Sequence, residues 1–585
     1  MYKIFMFMKP YTGFMLCAAL LLFLEAIGAL ILPGTMANII DDGVIPGHVH
    51  VIWRLGGIMI LVSLLSSLAA LCASFFAAKT SAGVANDLRT AVFKKVLSFS
   101  DAEINKFNTS SLITRTTGDV VAIQSVMMMG IRQFIYAPII AVGGIIRASG
   151  RSDALTWVVS ISVIIMIIFM LGVVIIATPY FERVQKLIDR LNLVSRENLS
   201  GILISKAFNT QQFEKKRFSK ANRELNLTNL FINRTMAVTM PFIFLIMNIV
   251  TVVIVWVGAL EVSAFRIDIG DIFAFLQYGM LIIFAFLMIG IMLIMLPSAY
   301  VSAQRIKEVL DTESSIKYNK NMINLTNDFL GNIEFKNVSF RYPSNIESTN
   351  KTQYENVIEN ISFKVVHGSI TAIIGATGSG KSTILNLLLR FYDVTEGDIL
   401  LDGISIRDIN KKSLHDKIGY VAQKALLFSG SIKSNLLYAD KNASDTSIDR
   451  AIDIAQAKSF IENKEDGLYS NVAQGATNFS GGQRQRLSIA RALVKDVPIY
   501  LFDDSFSALD LKTDANLRAA LKTKVKGSTK IIVAQRVSSI MEADQIIVLE
   551  HGRIVGKGRH NDLMNTCNVY KEIAQSQLSE VTTNT

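Results

Sequence analysis

Long apolar stretches separated by polar segments of unequal length set the layout of the first half of the chain. Six of them, at about residues 13–32, 55–77, 129–148, 155–178, 236–260 and 272–296, are candidates for membrane-crossing helices. A crossing takes about 20 residues of helix. The connections after the first, third and fifth stretches are short and hold few basic residues, among them Arg54, Arg151 and Arg266. Those after the second and fourth are long, and the fourth carries Arg183, Lys186, Arg190, Lys215, Lys216, Arg217 and more. Basic residues accumulate on the cytoplasmic side of a membrane, so the long loops and both termini are expected there. The first stretch is followed by no small-residue cleavage pattern, and five more follow it, which argues against a removed signal peptide.

The long loops keep a helical period of apolar positions, at 85–96 and 181–199, with few breakers. Spans two to five are therefore expected to run on as helices into the cytoplasm. Each pair should turn at a tip, near 101–107 and near 209–216. Such helices are levers through which motion at one end is felt at the other.

After Pro297 the apolar stretches stop, and a polar linker is expected at 311–327. From about residue 328 short strands alternate with helical patterns, an α/β layout. The strand at 333–340 is closed by Arg341-Tyr342-Pro343, and a segment rich in Ser, Thr and Asn then runs to Tyr354. The expected boundaries are thus 1–310 for a membrane helical bundle, 311–327 for the linker and 328–585 for an α/β P-loop domain.

The second half carries the chemistry. Gly375-Ala376-Thr377-Gly378-Ser379-Gly380-Lys381-Ser382-Thr383 follows an apolar strand and precedes a helical pattern. In that context a Gly-rich loop cradles nucleotide phosphates with its backbone N–H groups. Lys381 is positioned in the pattern to neutralise β- and γ-phosphates, and Ser382 to ligate Mg²⁺. Downstream, Ile499-Tyr500-Leu501-Phe502-Asp503 reads as a buried strand delivering a carboxylate to the same Mg²⁺. Between them, Phe479-Ser480-Gly481-Gly482-Gln483 opens a helix and offers a second set of free N–H groups to a phosphate. One nucleotide does not need two such helix starts, so Ser480, Gly481, Gly482 and Gln483 are expected to serve ATP held by a second subunit.

Composition changes the picture little. The chain of 585 residues has a net charge of +11 and a mean hydropathy of +0.39. The basic loops account for much of that charge, so nucleic-acid binding is not required. Cys17, Cys72 and Cys567 are too scattered for a disulfide framework or a metal cluster. His48 and His50 sit in a polar loop that needs no metal. Within the spans, Glu25 is an isolated acid: an intramembrane functional group or a structural hydrogen-bonding one. Asn248, Gln277 and Tyr278 suit either a cavity lining or a helix-joining role, the structural one being preferred. Met280, Met288, Met292 and Met295 recur among Phe273, Phe275, Phe284 and Phe286, which suits either an adaptable cavity or a lipid-facing surface.

Over nearly its full length the chain resembles an ABC transporter half-subunit of the exporter type. The likeness rests on residues 375–383 (Walker A), Gln423 (Q-loop), 479–483 (signature), Asp503 (Walker B) and Ser507-Ala508-Leu509-Asp510 (D-loop). It implies a dimer that sandwiches two ATPs, each between one Walker A and the opposite signature. ATP and Mg²⁺ are the implied cofactors, and Ser382, Gln423 and Asp503 the Mg²⁺ ligands; Tyr342, beside Pro343, suits either stacking on the base or turn packing. Asp510 and the signature would act on the partner's nucleotide, and the two loop tips would be coupling helices, at least one docking on the opposite ATPase domain.

Two positions depart from the family. Its catalytic Glu follows the Walker B Asp, where this chain has Asp504; its switch His precedes Arg536, where this chain has Gln535. Asp504 is one methylene too short to reach the attacking water as Glu would, and Gln535 lacks a histidine's proton chemistry. Asp504 and Gln535 are either tolerated variants in an active site or, the preferred reading, the mark of a chain that resembles the degenerate-site subunit of a heterodimeric exporter, binding ATP but hydrolysing it slowly. The expected function is export of apolar or amphipathic small molecules, drugs or lipids, by alternating access across the bilayer with a second half-transporter. A homodimeric lipid flippase and a regulatory or sensor subunit are the alternatives. Peptide export and import are weaker readings, since no peptidase-like segment precedes the first span and importers usually separate permease from ATPase.

Overall fold

The computed structural model describes residues 6–317, 322–326, 328–343 and 356–583. The Ser-, Thr- and Asn-rich segment at 344–355 lies outside them. The chain forms two compact units: Met1–Ser98 with Asn108–Thr312, and Phe99–Phe107 with Glu313–Thr585.

The first unit is helical. Among the described residues, six helical segments are long and apolar enough to cross a membrane: Lys9–Val44, Val49–Leu97, Thr109–Ser149, Asp153–Ser200, Gln211–Ser263 and Ile269–Asp311. At 1.5 Å per residue, the helix Val49–Leu97 is roughly 70 Å long, against a hydrocarbon core of about 30 Å. More than half of it therefore extends beyond the membrane, as the amphipathic loop pattern requires. Helix starts carry side-chain caps: Ser152 accepts from Leu155 N, and Asp268 and Asp271 form a reciprocal capping box.

The bundle packs through small residues and apolar knobs. Ala18, Leu22, Ala26 and Leu30 form a buried stripe on the first helix. Gly28 lets the second helix approach closely, since a Cβ there would lie 2.9 Å from Ser66 Cβ. Outward, Leu64, Leu65, Leu68 and Leu71 are exposed, the surface a lipid-facing helix presents. Tyr278 is buried and donates to the Leu30 carbonyl at 3.2 Å, which is the helix-joining role expected of it.

The loop tips are short helices. The first, Asp101–Phe107, lies where expected and belongs to the ATPase unit. The second turns earlier than expected: Gly201 ends the long helix, Ile202–Ala207 forms a separate short one, and Asn209 takes a left-handed conformation (φ +52°). By Gln211 the next helix is under way, so Lys215, Lys216 and Arg217 belong to its first turns and not to the tip. There Arg217 is paired with Glu197 at 2.5 Å, from one long helix to the next.

The second unit holds two main sheets. One is antiparallel, in the order Ile358–Val365, Ile333–Phe340, Glu396–Leu401, Ile404–Ser405. The other has six strands, in the order Arg553–Gly558, Gln545–Glu550, Ile370–Gly375, Thr529–Val533, Ile499–Asp503, Ile418–Val421. All its neighbours run parallel except the edge strand Arg553–Gly558. Ile499–Asp503 is buried at every position, as a strand covered on both faces must be. The register pairs Val533 with both Ile373 and Asp503, so the phosphate loop, Asp503 and the segment after Val533 emerge together at the strands' carboxyl ends. That edge of an open α/β sheet is where ligands bind.

Candidate functional site

The phosphate loop is shaped by its glycines. Gly380 has φ +97°, and a Cβ there would meet Ile358 Cδ1 at 2.5 Å and the Val357 carbonyl oxygen at 3.0 Å. Gly378 is also left-handed (φ +83°). The helix Lys381–Leu388 starts directly after this turn, so its first N–H groups point into the loop. Lys381 Nζ donates to the carbonyls of Gly375 and Ala376, both at 2.8 Å, and burial lowers its pKa despite Asp504 and Asp503 nearby. Ser379 Oγ is buried with no hydrogen-bond partner. An orphan hydroxyl, a lysine turned onto its own loop and a helix start together fit a phosphate chain.

Ser382 Oγ donates to Asp503 Oδ1 at 2.8 Å. Hydroxyl and carboxylate oxygens are a hard donor set that suits Mg²⁺. Burial raises the Asp503 pKa, opposed by the Ser382 bond.

Asp504 is held between two amides. Gln535 Nε2 donates to Asp504 Oδ2 at 2.8 Å, and Gln423 Nε2 donates to the same oxygen at 3.4 Å. The Asp504 backbone is left-handed (φ +44°), and its N–H donates to Val533 O. Burial pushes its pKa up, with the hydrogen bonds opposing. The residue at the catalytic position is thus tied to the one at the switch position.

Tyr342 is 37% exposed and packs edge-on against Phe340 and Tyr392, while its hydroxyl shares a hydrogen bond with Thr383 Oγ1 at 3.1 Å. Thr377 completes the loop, exposed between Ala376 and Gly378.

The signature segment stands at the start of helix Gly481–Val494. Ser480 and Gln483 cap one another: Ser480 Oγ accepts from Gln483 N at 3.3 Å, and Gln483 Oε1 accepts from Ser480 N at 3.0 Å. Gly481 faces open space, and a Cβ on Gly482 would come 3.3 Å from the Ala508 carbonyl of the D-loop segment. Asp510 caps the next helix, Leu511–Lys524, by accepting from Thr513 N at 2.9 Å, and that bond lowers its pKa.

Two features were not anticipated from the sequence. In the ATPase unit, Tyr392 donates to Asp101 Oδ2 at 2.7 Å and accepts from Asn105 Nδ2 at 3.3 Å. Beside it Glu103 accepts from Ser100 N (2.8 Å), Ser100 Oγ (2.6 Å) and Ser315 N (3.1 Å). Burial opposes the Glu103 charge, but these bonds hold its pKa below the ordinary value. The first tip helix is therefore fastened to the ATPase unit through groups spread along the chain, which no local motif announces. In the membrane unit, Glu25 is paired with Arg132, 3.0 Å away.

With that geometry in place, comparison with known proteins is direct. Residues 15–286 match the family described as ABC transporter transmembrane region, and residues 358–507 match that described as ABC transporter. An uncharacterized ABC transporter ATP-binding protein of Mycobacterium tuberculosis is 38% identical over 572 residues, 97% of each chain. Another, from Bacillus subtilis, is 36% identical across 99% of this chain and 98% of its own. An ATP-dependent lipid A-core flippase of Pseudomonas aeruginosa is 29% identical across 99% and 96%. The solved structure of a bacterial Atm1-family ABC exporter with ATP bound shares the fold, with a TM-score of 0.77 and 23% identity over 96% of this chain and 97% of that one.

The chain belongs to the ABC transporter family. Its layout is that of an exporter half-transporter, a multi-pass membrane protein with a cytoplasmic ATPase domain that binds ATP to drive transport.

Proposed function

We propose that this chain is the ATP-holding subunit of a dimeric exporter of apolar or amphipathic small molecules, with a slow nucleotide site of its own. The observation that carries the reading is the Gln535–Asp504 hydrogen bond, 2.8 Å long. A general base must be free to take a proton from water, and Asp504 is short, buried and already accepting from two amides. The phosphate-gripping parts, in contrast, are complete: Gly375, Thr377, Gly378, Ser379, Gly380, Lys381, Ser382 and Thr383, with Tyr342 for the base. Ser382, Asp503 and Gln423 would hold Mg²⁺, which when bound neutralises charge on the β- and γ-phosphates.

The signature residues Ser480, Gly481, Gly482 and Gln483, with Asp510, would complete the site of a second half-transporter. That partner would carry the Glu and His that this chain lacks at 504 and 535, and hydrolysis there would reset the pair. The second tip supports a partner: Leu199, Leu203, Ile204 and Phe208 are 66–77% exposed at the cytoplasmic end of their helices. Apolar side chains clustered so far from lipid call for a protein surface, here the partner's ATPase domain. The lipid A-core flippase relative makes lipid movement one form of the same activity.

The test is to purify the tagged chain from native membranes and identify what accompanies it. A second six-span ATPase with Glu and His at the matching positions supports the reading. A homodimer with full turnover overturns the slow site, and a complex that moves nothing in vesicles while still binding ATP supports a sensor instead.

A further inference from the structure

The membrane unit contains a cavity of about 700 Å³, within the range of small-molecule sites. Its wall is largely apolar, with Phe284, Met288 and Met295 on one side, and its polar groups include Ser74, Arg132 and Gln133. Arg132 Nη2 donates to Glu25 Oε1 at 3.0 Å, and Nη1 donates to Ser74 Oγ at 3.2 Å. The two members of the pair are placed differently. The Glu25 side chain is 9% exposed, while that of Arg132 is 41% exposed and lines the cavity.

An ionisable side chain within a membrane span is costly unless paired, and Glu25 supplies the partner. A purely structural pair would bury both partners and use their hydrogen-bonding capacity. Here Glu25 Oε2 is buried without a hydrogen-bond partner, and Glu25 is not among the residues that line the cavity. Arg132 has five N–H donors, of which these two bonds use two. An occupant of the cavity therefore meets guanidinium donors and thioether or aromatic surface, with Arg132 and not Glu25 in the wall.

We propose that this cavity binds amphiphiles bearing one acidic group, a carboxylate, sulfonate or phosphate, with that group on Arg132 and the apolar body against Met288, Met295 and Phe284. This names the substrate class for the export reading above and rests on it. Charge-assisted bonds from a preorganised guanidinium supply the selectivity, and the flexible Met wall tolerates variety in the apolar part.

The test uses the full chain in phosphatidylcholine nanodiscs, with protein-free discs as blank. Binding of dansyl-undecanoic acid is compared with that of its methyl ester and of a trimethylammonium analogue. The acid should bind tightest. Arg132→Gln should weaken the acid about tenfold and leave the ester unchanged, while Arg132→Lys, which keeps the pair with Glu25, should fall between. Met288→Ala should weaken all three probes, which locates them in the cavity and does not depend on how well the arginine variants fold. Competition by dodecanoate from solution, against phosphatidate built into the disc, separates a free acid from a lipid headgroup as the natural source. The proposal is overturned if Arg132→Gln leaves the acid-to-ester ratio unchanged, if the ammonium probe binds tightest and Glu25→Gln abolishes it, or if Met288→Ala affects no probe. None of those results touches ATP-driven export, which is read separately from transport in vesicles. Arg132-dependent binding without transport would instead leave the site standing and remove the export reading.

Discussion

Gln535 Nε2 lies 2.8 Å from Asp504 Oδ2, so the two residues that depart from the family pattern are bonded to each other. A shorter acid and an amide in place of an imidazole would each weaken hydrolysis alone. Joined, they hold one another through Asp504 Oδ2, and Gln423 adds a second donor to the same oxygen. Nucleotide grip and turnover are thereby separated. Lys381→Met should lower affinity for a fluorescent ATP analogue at least tenfold, because it removes the one ammonium in the phosphate loop. Gln535→Ala should leave that affinity within about twofold, as read by the same titration.

Tyr392 ties the first tip helix to the ATPase unit through Asp101 and Asn105. Tyr392→Phe keeps the ring packing against Tyr342 and removes the donor. Losing it should cost about 1 kcal/mol in the unfolding of the ATPase unit, measured by denaturant titration. Transport should fall more than ATP binding does, since Asp101 sits on the helix that follows a lever.

The second tip should matter to assembly and not to folding. Leu203→Ser with Phe208→Ser replaces exposed apolar groups, 77% and 75% exposed, so thermal stability of the chain alone should be unchanged. Recovery of a partner half-transporter on the tagged chain should drop severalfold, checked by quantitative mass spectrometry.

His415 gives a pH dependence with a definite sign. It is half-buried, its Nε2–H donates to Leu389 O at 2.9 Å, and desolvation pushes its pKa below the ordinary value. The folded state therefore favours neutral imidazole, and the unfolded state binds the proton more readily. This contribution to stability is present above the unfolded value of about 6.5 and is lost as pH falls through the lower folded value. The melting midpoint should drop between about pH 7 and 5, and His415→Gln, which keeps a donor, should show a shallower slope over that range.

Much of this architecture is written in local patterns. Apolar runs of bilayer length, a Gly-rich loop between strand and helix, and a buried strand ending in Asp503 each announce themselves within a few residues. Contacts between distant segments do not. Nothing near Glu25 points to Arg132, which lies in another span and whose surrounding run remains apolar enough to hide it. Tyr392 and Asp101 are 291 positions apart, so only the fold brings them together. The second tip was expected around 209–216, yet the chain turns between Gly201 and the left-handed Asn209, at the near edge of that range. The Asp504–Gln535 pair was half visible: the two substitutions could be read in the sequence, their bond could not.

The most direct measurement is ATP turnover by the purified chain beside the same chain carrying both Asp504→Glu and Gln535→His. A restored base and switch should raise turnover by about 10²-fold or more, with ATP affinity little changed. Equal turnover in the two proteins, at the rate of an active transporter, would contradict a slow site.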